Sequence, residues 1–135
     1  MNTAFSYAIE SNLPFSEYVR QTRKTIAERR KGLHPELDEQ EMDRIIDGNS
    51  PFILTPSDEH KNPETGKYRR GILLTHGLTD SAYSQRHLAE FFRQQGFLVY
   101  VLLLPGHGTQ PADLLNVYWH DWTMAYDYGV QALAK

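Results

Sequence analysis

The sequence predicts an α/β fold, and three observations carry that prediction. Residues 71–76 (GILLTH) and 97–104 (FLVYVLLL) are continuous apolar runs, the pattern of strands covered on both faces. Between them, residues 82–95 place Leu88, Phe91 and Phe92 on one helical face and stop at Gly96. Helical spacing returns over residues 119–135. Strands alternating with helices predict βαβ units and a parallel sheet.

The first third of the chain is different. Residues 15–31 set Phe15, Tyr18, Val19, Thr22 and Ile26 on one helical stripe, with Ser16 or Ser11 as capping candidates and Gly32 as the stop. This stretch carries a net charge of +4, whereas residues 34–47 carry −5 and predict a second helix ending at Gly48. A basic helix followed by an acidic one suggests a helical hairpin with attracting faces. The basic helix is also a candidate for contact with a membrane surface. Residues 1–50 are therefore read as an N-terminal helical extension and residues 51–135 as the start of the α/β domain. Residues 51–56 (PFILTP) form a short strand bounded by prolines, and the polar residues 57–70 a loop with turns at Asn62-Pro63 and Thr65-Gly66. In the last helix, Trp119, Trp122, Tyr126 and Tyr128 are expected to be core residues.

The bulk properties exclude several functions. A net charge of −3 over 135 residues gives no basic field for nucleic acid. The absence of cysteine excludes a disulfide scaffold, a thiolate metal site and a cysteine nucleophile. The first residues lack a basic segment followed by an apolar run, so no signal peptide is expected. The longest apolar run, eight residues, is too short to span a bilayer. A cytoplasmic protein is expected.

Ligands of open α/β sheets bind beyond the carboxyl ends of the strands. The two apolar runs end there on HGLTDS (residues 76–81) and PGHGTQP (residues 105–111), each with glycine beside histidine. Glycine lets backbone approach a ligand closely and accepts positive φ without steric cost. A loop of this kind can aim a backbone N–H at a carbonyl oxygen that gains negative charge when attacked, and losing such a donor costs about 10²–10³ in rate. A dinucleotide site would need GxGxxG, but Pro111 stands where the third glycine belongs. His76, His107 and His120 form no HxH or HxxxH pair, so no metal is expected.

Taken together, ILLTHGLTDS, GHGTQPADL and the later DW resemble the N-terminal half of an α/β-hydrolase, of the carboxylesterase, monoglyceride lipase and serine aminopeptidase-like group. The resemblance covers residues 68–135. It implies a partial α/β-hydrolase sheet of parallel strands with flanking helices. It implies that the backbone N–H of Leu78 is the first oxyanion-hole donor, that Gly77 gives access to it, and that His76 organises the loop. Gly106, His107 and Gly108 would shape the pocket floor, Tyr83 would contact the acyl group or pack at a helix start, and Asp121 and Trp122 would open the last helix.

The resemblance also implies a nucleophile in a GxSxG elbow on a later strand. None of Ser6, Ser11, Ser16, Ser50, Ser57, Ser81 and Ser84 has glycines at both second neighbours. The expectation is a truncated serine hydrolase. Its full-length form would cleave carboxylic esters of medium or long acyl chains through an acyl-enzyme, without a cofactor, and the 135 residues alone would be inactive. The alternative is a non-catalytic module that binds an acyl ligand or completes a sheet with a partner chain. In either case the GILLT strand (residues 71–75) would be a bare, aggregation-prone edge open to a partner or to self-association.

Overall fold

A computed structural model describes residues 12–109 and 111–135. In chain order it contains helix α1 (Phe15–Leu33), helix α2 (Glu39–Asn49), strand β1 (Phe52–Leu54), strand β2 (Gly71–Leu74), helix α3 (Arg86–Gln94), strand β3 (Leu98–Val101) and helix α4 (Trp119–Ala134). Short 3-10 turns occupy Asp58–His60, Ala82–Gln85 and Pro111–Asn116.

The sheet has the order β1-β3-β2. β2 and β3 are parallel, with Gly71 opposite Leu98 and Leu74 opposite Val101, as the βαβ pattern predicts. β1 runs antiparallel to β3, pairing Phe52 with Val101 and Leu54 with Val99, so the sheet is mixed. The alternation predicted from residues 71–135 does not extend to β1, which reaches β3 without a crossover helix before it. β3 is central, and its alternate side chains serve two cores. Val99 and Val101 face α3 with Leu74, Ala82 and Ala89. On the other face, Leu102 joins Phe15, Tyr18, Ala125 and Tyr128 from α1 and α4. β2 is less covered than its apolar sequence suggests, because it lies at the sheet edge: Gly71 is exposed and Ile72 and Leu73 are half-buried.

The helical stripe of α1 turns inward, burying Phe15, Tyr18, Thr22 and Ile26. The Tyr18 hydroxyl donates to the Leu103 carbonyl at 2.9 Å and accepts from the Leu103 N–H at 3.3 Å. Burial pushes the Tyr18 phenol well above its ordinary value. α2 packs on α1 through Ile26, Met42, Ile46 and Leu103, and Arg23 pairs with Asp47 at 2.5 Å across the two helices. Opposite charge thus joins the hairpin as the sequence suggests. Pro14, not serine, precedes α1, and Ser16 lies within its first turn; Ser11 falls outside the described residues. Asp38 caps α2 instead, accepting the Glu41 N–H at 2.8 Å.

Residues 57–70 are more ordered than a loop. Lys61 and Tyr68 form an antiparallel bridge, Asn62 donates to the Lys67 carbonyl at 2.7 Å, and the Tyr68 hydroxyl donates to the Pro56 carbonyl at 3.1 Å. α4 corrects another expectation. Its packed face is Ala125, Tyr128 and Gly129, whereas Trp119 is 73 % exposed and Tyr126 51 %. A Cβ on Gly129 would sit 2.8 Å from Leu73 Cδ2, so the helix approaches β2 more closely than a larger residue permits. Among the described residues no helix is long and apolar enough to cross a membrane.

Candidate functional site

Both glycine-histidine loops leave the carboxyl ends of parallel strands, β2 and β3, and they meet. Each supplies a histidine that bonds to the backbone of the other. His76, in the first loop, accepts the Leu104 N–H at Nε2, at 3.0 Å. That nitrogen therefore holds the lone pair, and Nδ1 carries the proton, which it donates to the Gly77 carbonyl at 2.9 Å. His107, in the second loop, donates from Nε2 to the Leu78 carbonyl at 2.6 Å. The two rings touch edge to face, with centroids 4.6 Å apart. Both side chains are buried. Burial, reinforced by the neighbouring His107, lowers the His76 pKa below the ordinary imidazole value, against the raising effects of the Gly77 carbonyl and Asp80.

These bonds orient one peptide. The Gly77 carbonyl points to the buried His76 ring. No peptide bond among the described residues is cis, so the Leu78 N–H of the same peptide points the opposite way. Among the described residues no acceptor takes that N–H. Leu78 lines a cavity of about 590 Å³ together with Thr79, Asp80, Ser81, Gly106, His107, Gly108 and Thr109. The turn is closed by the Asp80 N–H on the Gly77 carbonyl at 3.3 Å. The Ser84 side chain and the Ser81 N–H, which the Asp80 carboxylate accepts at 2.8 Å, lower the Asp80 pKa.

The glycines divide into two kinds. Gly106 and Gly108 adopt φ of 85° and 78°, and a Cβ on either would lie 2.9 Å from a neighbouring side chain. Gly77 has no positive φ, and a Cβ there would meet nothing within 4 Å. Its small size leaves open space beside Leu78; it is not needed for the turn.

α4 ties the second loop down. Trp122 Nε1 donates to the Pro105 carbonyl at 3.0 Å, and its ring lies 5.9 Å from that of His107. Asp121 fixes the helix start by accepting the Tyr118 N–H at 2.8 Å. Tyr83 stands apart from the cavity lining. It is 59 % exposed, its ring faces Gly48 at the end of α2, and Arg86 lies over it at 5.2 Å.

The sequence reading missed Arg30 and Asn49. Both line the cavity, and both come from the N-terminal helices. Arg30 Nε donates to the Gly108 carbonyl at 3.2 Å, and Arg29 pairs with Asp113 at 3.2 Å. No pattern in α1 distinguishes these arginines from its other basic residues; only the packing of α1 on the second loop does. Among the described residues no group of three or more His, Asp or Glu side chains could hold a metal ion.

No family model matches the chain. It is 39 % identical over 59 residues to the thermostable monoacylglycerol lipase of Bacillus sp. (strain H-257), a match that covers 44 % of this chain and 24 % of that protein. Among solved structures it is similar to one reported for LipS and LipT, two metagenome-derived lipolytic enzymes. That match has a TM-score of 0.53 and 33 % identity, and covers 64 % of this chain and 31 % of that one. The chain thus spans less than a third of the length of either relative.

Proposed function

We propose that the chain is part of an α/β-hydrolase of the esterase and lipase type, a reading its likeness to the two lipolytic relatives supports, and that its two loops form the oxyanion side of an active site that hydrolyses carboxylic esters through a serine acyl-enzyme. The observation that carries this is the Leu78 N–H, left without an acceptor among the described residues at the wall of a cavity of about 590 Å³. When a serine oxygen adds to an ester carbonyl, the carbonyl oxygen becomes an oxyanion. A donor already pointed at that position stabilises the charge without reorganising. His76 is then a positioning residue, because its bond to the Gly77 carbonyl sets the direction of the Leu78 N–H. His107 holds the other side of Leu78.

Neither histidine is placed to act as the base. The unprotonated nitrogen of His76 is occupied by the Leu104 N–H, and His107 is held at both ring nitrogens, Nε2 on the Leu78 carbonyl and Nδ1 buried against the Pro105 carbonyl at 3.3 Å. The serine, its base and its acid are proposed to come from residues outside these 135, as is the second oxyanion donor. The reaction needs no cofactor: the serine attacks, the alcohol leaves with a proton from the base, and water releases the acid.

The open edge of β2 favours a second reading, a non-catalytic module whose sheet is completed by a partner chain or a second copy. A fluorophosphonate probe on the native protein separates the two. Ester hydrolysis with label on a serine other than the seven present here supports the hydrolase. Absence of label and of hydrolysis supports the module.

A further inference from the structure

Among the described residues Arg30 is the one arginine or lysine on the cavity wall, and it forms no ion pair there. Its neighbour Arg29 is neutralised by Asp113, whose carboxylate also accepts the Thr109 hydroxyl at 2.5 Å. Arg30 uses only Nε, on the Gly108 carbonyl, and among the described residues nothing accepts from its terminal N–H groups. The other charged side chain on the wall, Asp80, forms no ion pair with Arg30 and is bound to its own turn through the Ser81 N–H. A guanidinium fixed by one bond, with the rest of its planar fork free, presents paired donors matched to a carboxylate or phosphate.

We propose that Arg30 makes this cavity selective for acyl compounds that carry an anionic group, a carboxylate or a phosphate, which the free edge of the guanidinium holds in the same cavity as the Leu78 N–H. The ester-hydrolase reading is needed only to place the ester at Leu78; the anion site itself does not depend on it. The N-terminal helices are then part of the site. Helix α1 delivers Arg30 to the loop between β3 and α4, and the buried Tyr18–Leu103 pair locks that helix in place. A substrate with a charged group would be oriented at two points, its anion at α1 and its carbonyl at the first loop.

The test is a titration of the native protein, following the amide resonances of Leu78, Thr79 and Gly108, with hexyl phosphate, hexanoate and 1-hexanol. Charge-assisted hydrogen bonds predict that the better anion binds about tenfold more tightly than the alcohol. The stronger of the two anions identifies the group. In Arg30→Gln the anions should bind no better than hexanol, with hexanol affinity unchanged, and Arg30→Lys should restore part of the preference. Equal binding of anions and alcohol to the unmodified chain overturns the proposal, as does a preference that survives Arg30→Gln. If Arg30→Gln also loses hexanol because the Gly108 contact is broken, the salt dependence of the unmodified chain decides. A preference that fades as ionic strength rises toward about 0.5 M supports the charge contact, and one that persists overturns it. Hydrolysis does not enter the readout, so failure of this site and failure of the esterase reading are separate results.

Discussion

At the residue scale, the proposed oxyanion site depends on which hydrogen bonds the two buried histidines make. His76 must stay neutral, because a proton on Nε2 would displace the Leu104 N–H and place charge in a buried contact with His107. Its pKa is lowered in the folded chain, so the unfolded chain binds the proton first as pH falls. Stability from this site is therefore complete above the ordinary value of 6.5 and is lost progressively as pH drops below it. Urea denaturation across this range should show the midpoint falling on acidification, and His76→Asn should flatten that part of the profile; an unchanged slope would remove His76 as its source. The glycines make a second prediction. Gly108→Ala forces a side chain into positive φ and toward Leu103, and should cost about 1–2 kcal/mol or more. Gly77→Ala should cost less than about 0.5 kcal/mol, because nothing lies near its Cβ. Denaturation midpoints of the two variants check the contrast.

At the element scale, α1 is the helix that connects the N-terminal extension to the site. Tyr18→Phe leaves both the N–H and the carbonyl of Leu103 without their partner in a fully buried place, and should cost about 1–3 kcal/mol in thermal or urea unfolding. A loss below about 0.5 kcal/mol would mean that α1 docks by apolar contact alone. Elements also show what the sequence could and could not reveal. β2, α3 and β3 were legible because continuous apolar runs and one amphipathic helix have few alternative folds. α4 was legible as a helix but not in its orientation. It is apolar on more than one face, and the side that packs is marked by small residues, Ala125 and Gly129, rather than by Trp119 and Tyr126. The two loops announced themselves through glycine at strand ends. Arg30 did not, because its contact with Gly108 joins residues 78 apart in sequence and leaves no local pattern.

At the scale of the whole molecule, a three-stranded sheet carries α3 on one face and α1 with α4 on the other, and the strand ends open onto one cavity. A chain of contacts leads to the first loop: Tyr18 holds Leu103, Leu104 binds His76, His76 sets the Gly77–Leu78 peptide, and Trp122 fixes Pro105 beside His107. We propose that this framework serves to present the Leu78 N–H to an ester oxyanion. The most direct test is kcat for a p-nitrophenyl acyl ester in the native protein, comparing Leu78→Pro, which removes the N–H, with Leu78→Ala, which keeps it. If the Leu78 N–H holds the oxyanion, Leu78→Ala stays within about threefold of the unmodified protein, while Leu78→Pro loses about 10²–10³ in kcat at similar KM. Equal activity of the two variants would contradict it.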